Sequence, residues 1–138
     1  MSMMKIFDIS GSAVSSQSQR LNVVASNLAN VDTVAGPDGK AYKAREVNFQ
    51  TVLMNTPDGS PGAGVRVAGV TENQAPGRKV HDPANPSADA DGYVTYSNVN
   101  AVDEMVNMIS ASRSYQNNIE VMNTAKTLLM KTLQMGQG

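Results

Sequence analysis

Cysteine and tryptophan are both absent, and the 138 residues include only two phenylalanines and four tyrosines. Without cysteine there is no disulfide framework and no thiolate chemistry, although this does not fix the redox compartment. At this length the chain is one domain or one extended protomer. With so few large side chains it can build only a modest core of its own. An excess of either charge is missing too: the formal net charge is −1, which leaves no electrostatic footprint for nucleic acid or an anionic membrane. No apolar run approaches the ~18 residues of a membrane span. The opening stretch is no secretory signal, because Asp8 interrupts it just after Ile6-Phe7 and no small-residue cleavage site follows. If the protein leaves the cytoplasm, it does so without a cleaved Sec signal.

Proline is missing from both ends. All six prolines lie between Pro37 and Pro86, and eight of the eleven glycines lie between Gly36 and Gly92. The chain therefore divides into an N-terminal helix (1–33), a Pro/Gly-rich middle with short β-strands (34–99) and a C-terminal helix (100–138). The expected fold is mainly α with a small β-rich middle. The two terminal helices run antiparallel and form a coiled-coil domain, with Leu28 towards the start of the second helix.

In the first helix Phe7, Val14, Leu21 and Leu28 repeat every seven residues, and Val24 and Val31 fill the alternate position. Gly11, Ser12, Ala13, Ser15 and Ser16 carry almost no bulk, so another backbone can approach closely there. In the second helix Asn100 is a natural N-cap, with Asp103 and Glu104 where the helix dipole favours anions. Its apolar stripe reads Val102, Met105, Ile109, Tyr115, Ile119, Met122, Leu129 and Leu133, and Gly136 and Gly138 can end it by taking positive φ. In the middle, Val47, Phe49, Thr51 and Leu53 alternate as one strand face. Asn55–Gly64 is turn material throughout, Val65 and Val67 alternate again, and Val80 and Tyr93–Tyr96 suggest two more short strands.

The helices are also short of charge. Between Ser10 and Asn30 only Arg20 is charged, and the polar positions are Ser, Gln and Asn. A lone amphipathic helix normally carries charge on its wet face. A neutral polar face costs less to take out of water than a charged one, if its hydrogen bonds are met. This pattern predicts helices that touch neighbours on several sides. Five methionines in the second helix, Met105, Met108, Met122, Met130 and Met135, suit either gap-filling in a core or an adaptable surface that meets non-identical partners.

Candidate chemistry is thin. His81 stands beside Asp82, but no nucleophile elbow or oxyanion turn accompanies the pair, so a structural or solvated role is preferred to base catalysis. Ser87, Asp89, Asp91 and Gly92 fall in the register of a calcium loop. However, its twelfth position is Asn98 instead of a bidentate glutamate, and Pro83 and Pro86 leave no helix before it. No catalytic, cofactor or metal site can be assembled, so a non-enzymatic protein is expected. A soluble calcium-dependent binding module using residues 87–98 is the alternative.

The residues also carry a resemblance. "RLNVVASNLANVDT", residues 20–33, is similar to the N-terminal signature of the axial rod and hook proteins of the bacterial flagellum, with Ser26, Asn27, Leu28, Ala29 and Asn30 as the family motif. "GPDGKAYKAREVNFQ", residues 36–50, "DPANPSADADGYV", residues 82–94, and the whole stretch 98–133 resemble the basal-body rod members of that family, so nearly the entire chain is covered. Two positions depart from the pattern: Val34-Ala35 stands where Pro-Gly is frequent, and Ser97 where proline is usual before Asn98. The resemblance implies a structural subunit of the proximal rod, exported by the flagellar type III apparatus without a cleaved signal. It implies helical self-assembly around a central export channel, transmission of torque, and a middle segment that faces outward or bridges neighbours. The implied partners are further copies of the chain, rod proteins of the FlgB, FlgF and FlgG types and the export-base adaptor FliE, with no cofactor, no nucleic acid and no membrane insertion. The apolar positions of both helices, from Phe7 to Val31 and from Val102 to Leu133, then become the expected assembly seam.

Overall fold

The structure, a computed structural model, describes residues 3–55 and 59–137. Its elements in chain order are α1 (Met3–Ala29), β1 (Arg45–Asn55), β2 (Pro61–Glu72), β3 (Lys79–His81), β4 (Tyr93–Thr95) and α2 (Ala101–Gly136). Two long helices pack against each other, with two small antiparallel sheets between them in sequence, β1–β2 and β3–β4. No helix among the described residues is long and apolar enough to cross a membrane.

The chain forms two compact units. One holds the chain up to Arg20, Asn48–Gly69 and the chain from Ser110 onward; the other holds Leu21–Val47 and Val70–Ile109. In each, the half of α1 nearer one end of the chain meets the half of α2 nearer the other, so the helices run antiparallel.

In the first unit β2 lies along the small-residue face of α1. The Ser12 hydroxyl accepts from the Val65 amide (3.1 Å), and the Ser16 hydroxyl donates to the Val65 carbonyl (3.2 Å). Gly64 is buried here, and a Cβ at that position would come 2.9 Å from Ser12 Oγ and collide with the Met54 side chain. Lys5 is only 5% exposed, and its amine donates to the Ser60 carbonyl (3.0 Å) and to the Ser60 hydroxyl. The uncharged face of α1 is thus partly explained within one chain. The hairpin covers it, and serine hydroxyls satisfy the strand's backbone where lysine or glutamate would be too long and too costly to desolvate.

In the second unit β3 and β4 pair in the register Lys79↔Thr95, Val80↔Val94 and His81↔Tyr93, with Val94 completely buried. Gly77 lets the strand pass the Tyr96 carbonyl, which any Cβ would strike. Val34 bridges to Tyr96, and the Ala35 amide donates to the Thr95 carbonyl at 2.8 Å, so the chain leaving α1 is stitched to the end of β4. The buried Ser97 donates its hydroxyl to the Val31 carbonyl at 2.7 Å, a bond that proline could not make. The departure at Ser97 therefore carries a side-chain contact of its own, whereas the contacts at Val34-Ala35 are made by the backbone.

Asn100 caps α2 as expected: its Oδ1 accepts from the amides of Val102 (3.0 Å) and Asp103 (3.3 Å). Other expectations need correction. Asn55 and Pro61–Gly64 belong to strands and not to turns, because the pairing of their backbones outweighs the turn preference of Pro and Gly. Residues 56–58 of that stretch lie outside the described residues. On β1 the covered side chains are Val47, Val52 and Met54, while Phe49 (41%) and Leu53 (77%) are exposed. Gly136 stays in α2 without positive φ, and Gly138 lies outside the described residues.

The core is small. Among the described residues the buried apolar ones are Val24, Ala44, Val94, Ala111 and Ala125, and the bulkiest wholly buried side chains are Val94 and Asn27.

Candidate functional site

α1 is covered on nearly every side. Its exposed positions are Met4, Asp8, Ser15, Gln19, Asn22, Ala25 and Ala29, one stripe in all. Every apolar position expected to form its seam is covered: Val24 is buried, and Phe7, Val14, Leu21, Leu28 and Val31, just past the helix, are half-buried.

α2 differs. Its covered positions include a row that steps by four and three along Glu104, Met108, Ala111, Tyr115, Asn118, Met122, Ala125 and Leu129, with Ala101, Asn107, Ser112 and Ser114 covered beside it. That is a heptad seam, but it shares only Tyr115, Met122 and Leu129 with the expected stripe. Val102 (69% exposed), Met105 (55%), Ile109 (56%), Ile119 (36%) and Leu133 (59%) lie one position later and face away from the chain. The physical reason is size. Phasing by bulk follows the largest apolar side chains, whereas the covered seam uses Ala111 and Ala125 where α1 comes close. The exposed row is therefore a second apolar stripe beside the first, joined by Val106 and Met130.

The motif Ser26–Asn30 forms a polar junction. Asn27 is completely buried and all its hydrogen-bonding capacity is used. Its Nδ2 donates to the Arg45 carbonyl (2.8 Å) and to Glu104 Oε2 (3.1 Å). Its Oδ1 accepts from the Arg45 amide and the Tyr42 hydroxyl, both at 2.9 Å. With the phenol proton committed to Asn27, Ser26 donates its hydroxyl to Tyr42 at 3.0 Å. Asn30 closes the helix by donating to the Ser26 carbonyl at 2.8 Å. Leu28 is half-buried and Ala29 exposed. A second junction, at Asn98, was not singled out by its sequence neighbourhood. Its Oδ1 accepts from the Ala44 amide (2.6 Å), and its Nδ2 donates to the carbonyls of Asn73 (2.8 Å) and Ala75 (2.9 Å).

The segment read as a calcium loop is built as consecutive Asx turns. Asn85 Oδ1 accepts from Ser87 N, and Asp89 Oδ1 accepts from the amides of Asp91 and Tyr93. Gly92 takes positive φ (84°), and Asn98, the twelfth position, spends its oxygen on Ala44. No group of three metal-ligating side chains occurs among the described residues. His81 stacks edge-on against Tyr93, its cross-strand partner, with ring centroids 5.0 Å apart.

At the other end of α1, in the first unit, an open groove of about 490 Å³ is lined by Met3, Ile6, Asn117, Glu120, Val121 and Leu128, among others. Its walls are mainly aliphatic, and among the described residues that line it Glu120 is the charged one.

Residues 7–37 match the family described as flagella basal body rod protein, and residues 90–135 match the flagellar basal body rod FlgEFG protein C-terminal family. The chain is 57% identical to the flagellar basal-body rod protein FlgC of Escherichia coli O157:H7 and 56% identical to that of Salmonella typhimurium. It is 46% identical to FlgC of Buchnera aphidicola from Acyrthosiphon pisum. In each comparison 99% of this chain and 100% of the relative are covered.

Proposed function

The chain belongs to the FlgC family of flagellar basal-body rod proteins, and from that premise we propose that it builds the proximal rod by docking neighbours on the outward stripe of α2. The family is structural and non-enzymatic, and its members assemble with other rod proteins. The observation that carries the proposal is two exposed apolar clusters on α2, Val102, Met105 and Ile109 near its start and Met130 and Leu133 near its end, each residue more than half exposed on a helix whose other stripe is already covered. Apolar side chains clustered in this way on a surface mark sites where a partner docks. In a packed array the same clusters contribute burial that the small core does not supply.

In this reading the tripartite division, 1–33, 34–99 and 100–138, is one of roles, with the two helices forming the assembly domain. Further copies of the chain, rod proteins of the FlgB, FlgF and FlgG types and FliE are its neighbours. The helices surround the export channel, and their packing carries torque. The methionines exposed on α2, Met105, Met130 and Met135, suit a surface that meets non-identical neighbours.

Deleting the gene in its own host tests this. Electron microscopy of isolated basal bodies is expected to show no rod, with rods and swimming restored by the intact gene. Normal rods in the deletion strain would overturn the proposal.

A further inference from the structure

α2 outruns its partner. Leu129 is the last half-buried position of the covered seam, and from Met130 to Gln137 every residue is exposed. Met3, at the start of α1, lines the groove together with Leu128 and Val121. Among the described residues nothing covers the roughly two turns of α2 beyond Leu129. They are not wholly polar: Leu133 is 59% exposed and Met135 83%.

Groove and overhang are complementary in two respects. One is an open aliphatic slot, the other a helical tip that presents Leu133 and Met135. The charge of the groove is the acidic Glu120, and the charge of the overhang is the basic Lys131. Building on the self-assembly reading above, we propose that the overhanging end of α2 in one copy seats in the Met3/Ile6/Val121/Leu128 groove of the next, with Lys131 towards Glu120. The two surfaces differ, so the contact is head-to-tail and not self-complementary. Each copy keeps a free tip and a free groove, and the contact propagates without pairing off. Apolar anchoring places the tip, and the rim charges select its orientation.

Disulfide trapping in basal bodies tests the contact, because the natural chain has no cysteine. Residues 121 and 133 are twelve apart on one helix, about 18 Å, too far for a bridge within a chain. After oxidation, isolated basal bodies carrying the Val121→Cys/Leu133→Cys chain are expected to give a ladder of dimers and higher species, and each single variant only monomer. If the double variant is present in basal bodies without a ladder, the groove contact is overturned while the rod assignment stands. Dimers from Leu133→Cys alone would also overturn it, because they require a like-with-like contact. Absence of the wild-type chain from basal bodies would overturn the assembly reading itself and this inference with it.

Discussion

The amide of Asn27 donates to the Glu104 carboxylate at 3.1 Å, joining α1 to α2 across 77 residues of sequence. The same amide holds the backbone of Arg45 at the start of β1 and the hydroxyl of Tyr42. One buried side chain thus sets where three segments meet. Asn27→Ala removes it, so the Arg45 backbone, the Tyr42 hydroxyl proton and the Glu104 carboxylate each lose a part-buried hydrogen-bond partner. A loss of about 3 kcal/mol is expected in urea unfolding. An unchanged midpoint would show that water takes over the junction at little cost.

Two glycines predict opposite outcomes for the same substitution. At Gly11 a Cβ meets nothing within 4 Å of the chain, so Gly11→Ala is expected to stabilise the isolated chain by about 0.5–1 kcal/mol through helix propensity. At Gly64 the Cβ meets Ser12 and Met54, so Gly64→Ala is expected to cost about 1–3 kcal/mol as β2 is forced off α1. Thermal melts of both variants check the pair, and equal shifts would contradict the close approach.

Lys5 and Ser60 make a third test. The Lys5 amine is held by two oxygens of Ser60, so Lys5→Ala is expected to cost about 2 kcal/mol. Ser60→Asp is expected to be tolerated, because its carboxylate would sit beside the same amine. A Ser60→Asp chain less stable than Lys5→Ala would mean that the hairpin end is held by something else.

Hydrogen exchange on the isolated chain gives a fourth. Amides near Ala111 and Ala125, both buried, are expected to exchange slowly, and those after Met130 fastest within α2. In assembled rods the late amides are expected to become protected. Uniform protection along α2 of the isolated chain would contradict the overhang.

The sequence made part of this legible. Both helices follow from where proline is absent, the Asn100 cap from its side chain, and the close backbone approach at Ser12 and Ser16 from their lack of bulk. The phase of α2 was not legible, because the seam that α1 covers contains Ala111 and Ala125 while larger side chains sit one position later. Propensity also misplaced the start of β2 at Pro61: in a long hairpin, strand pairing outweighs local turn preference. Asn27 was visible as part of a motif, but its role was not. A buried amide is recognised by the partners that converge on it, here from residues 42, 45 and 104.

The outward stripe of α2 is tested most directly at Ile109, which is 56% exposed in the single chain. Purified Ile109→Glu chain is expected to match wild type in helix content and melting temperature, because the new charge stays hydrated. In the host, the same variant is expected to be missing from isolated basal bodies and the cells not to swim. Rods of normal appearance containing Ile109→Glu, in swimming cells, would contradict the account.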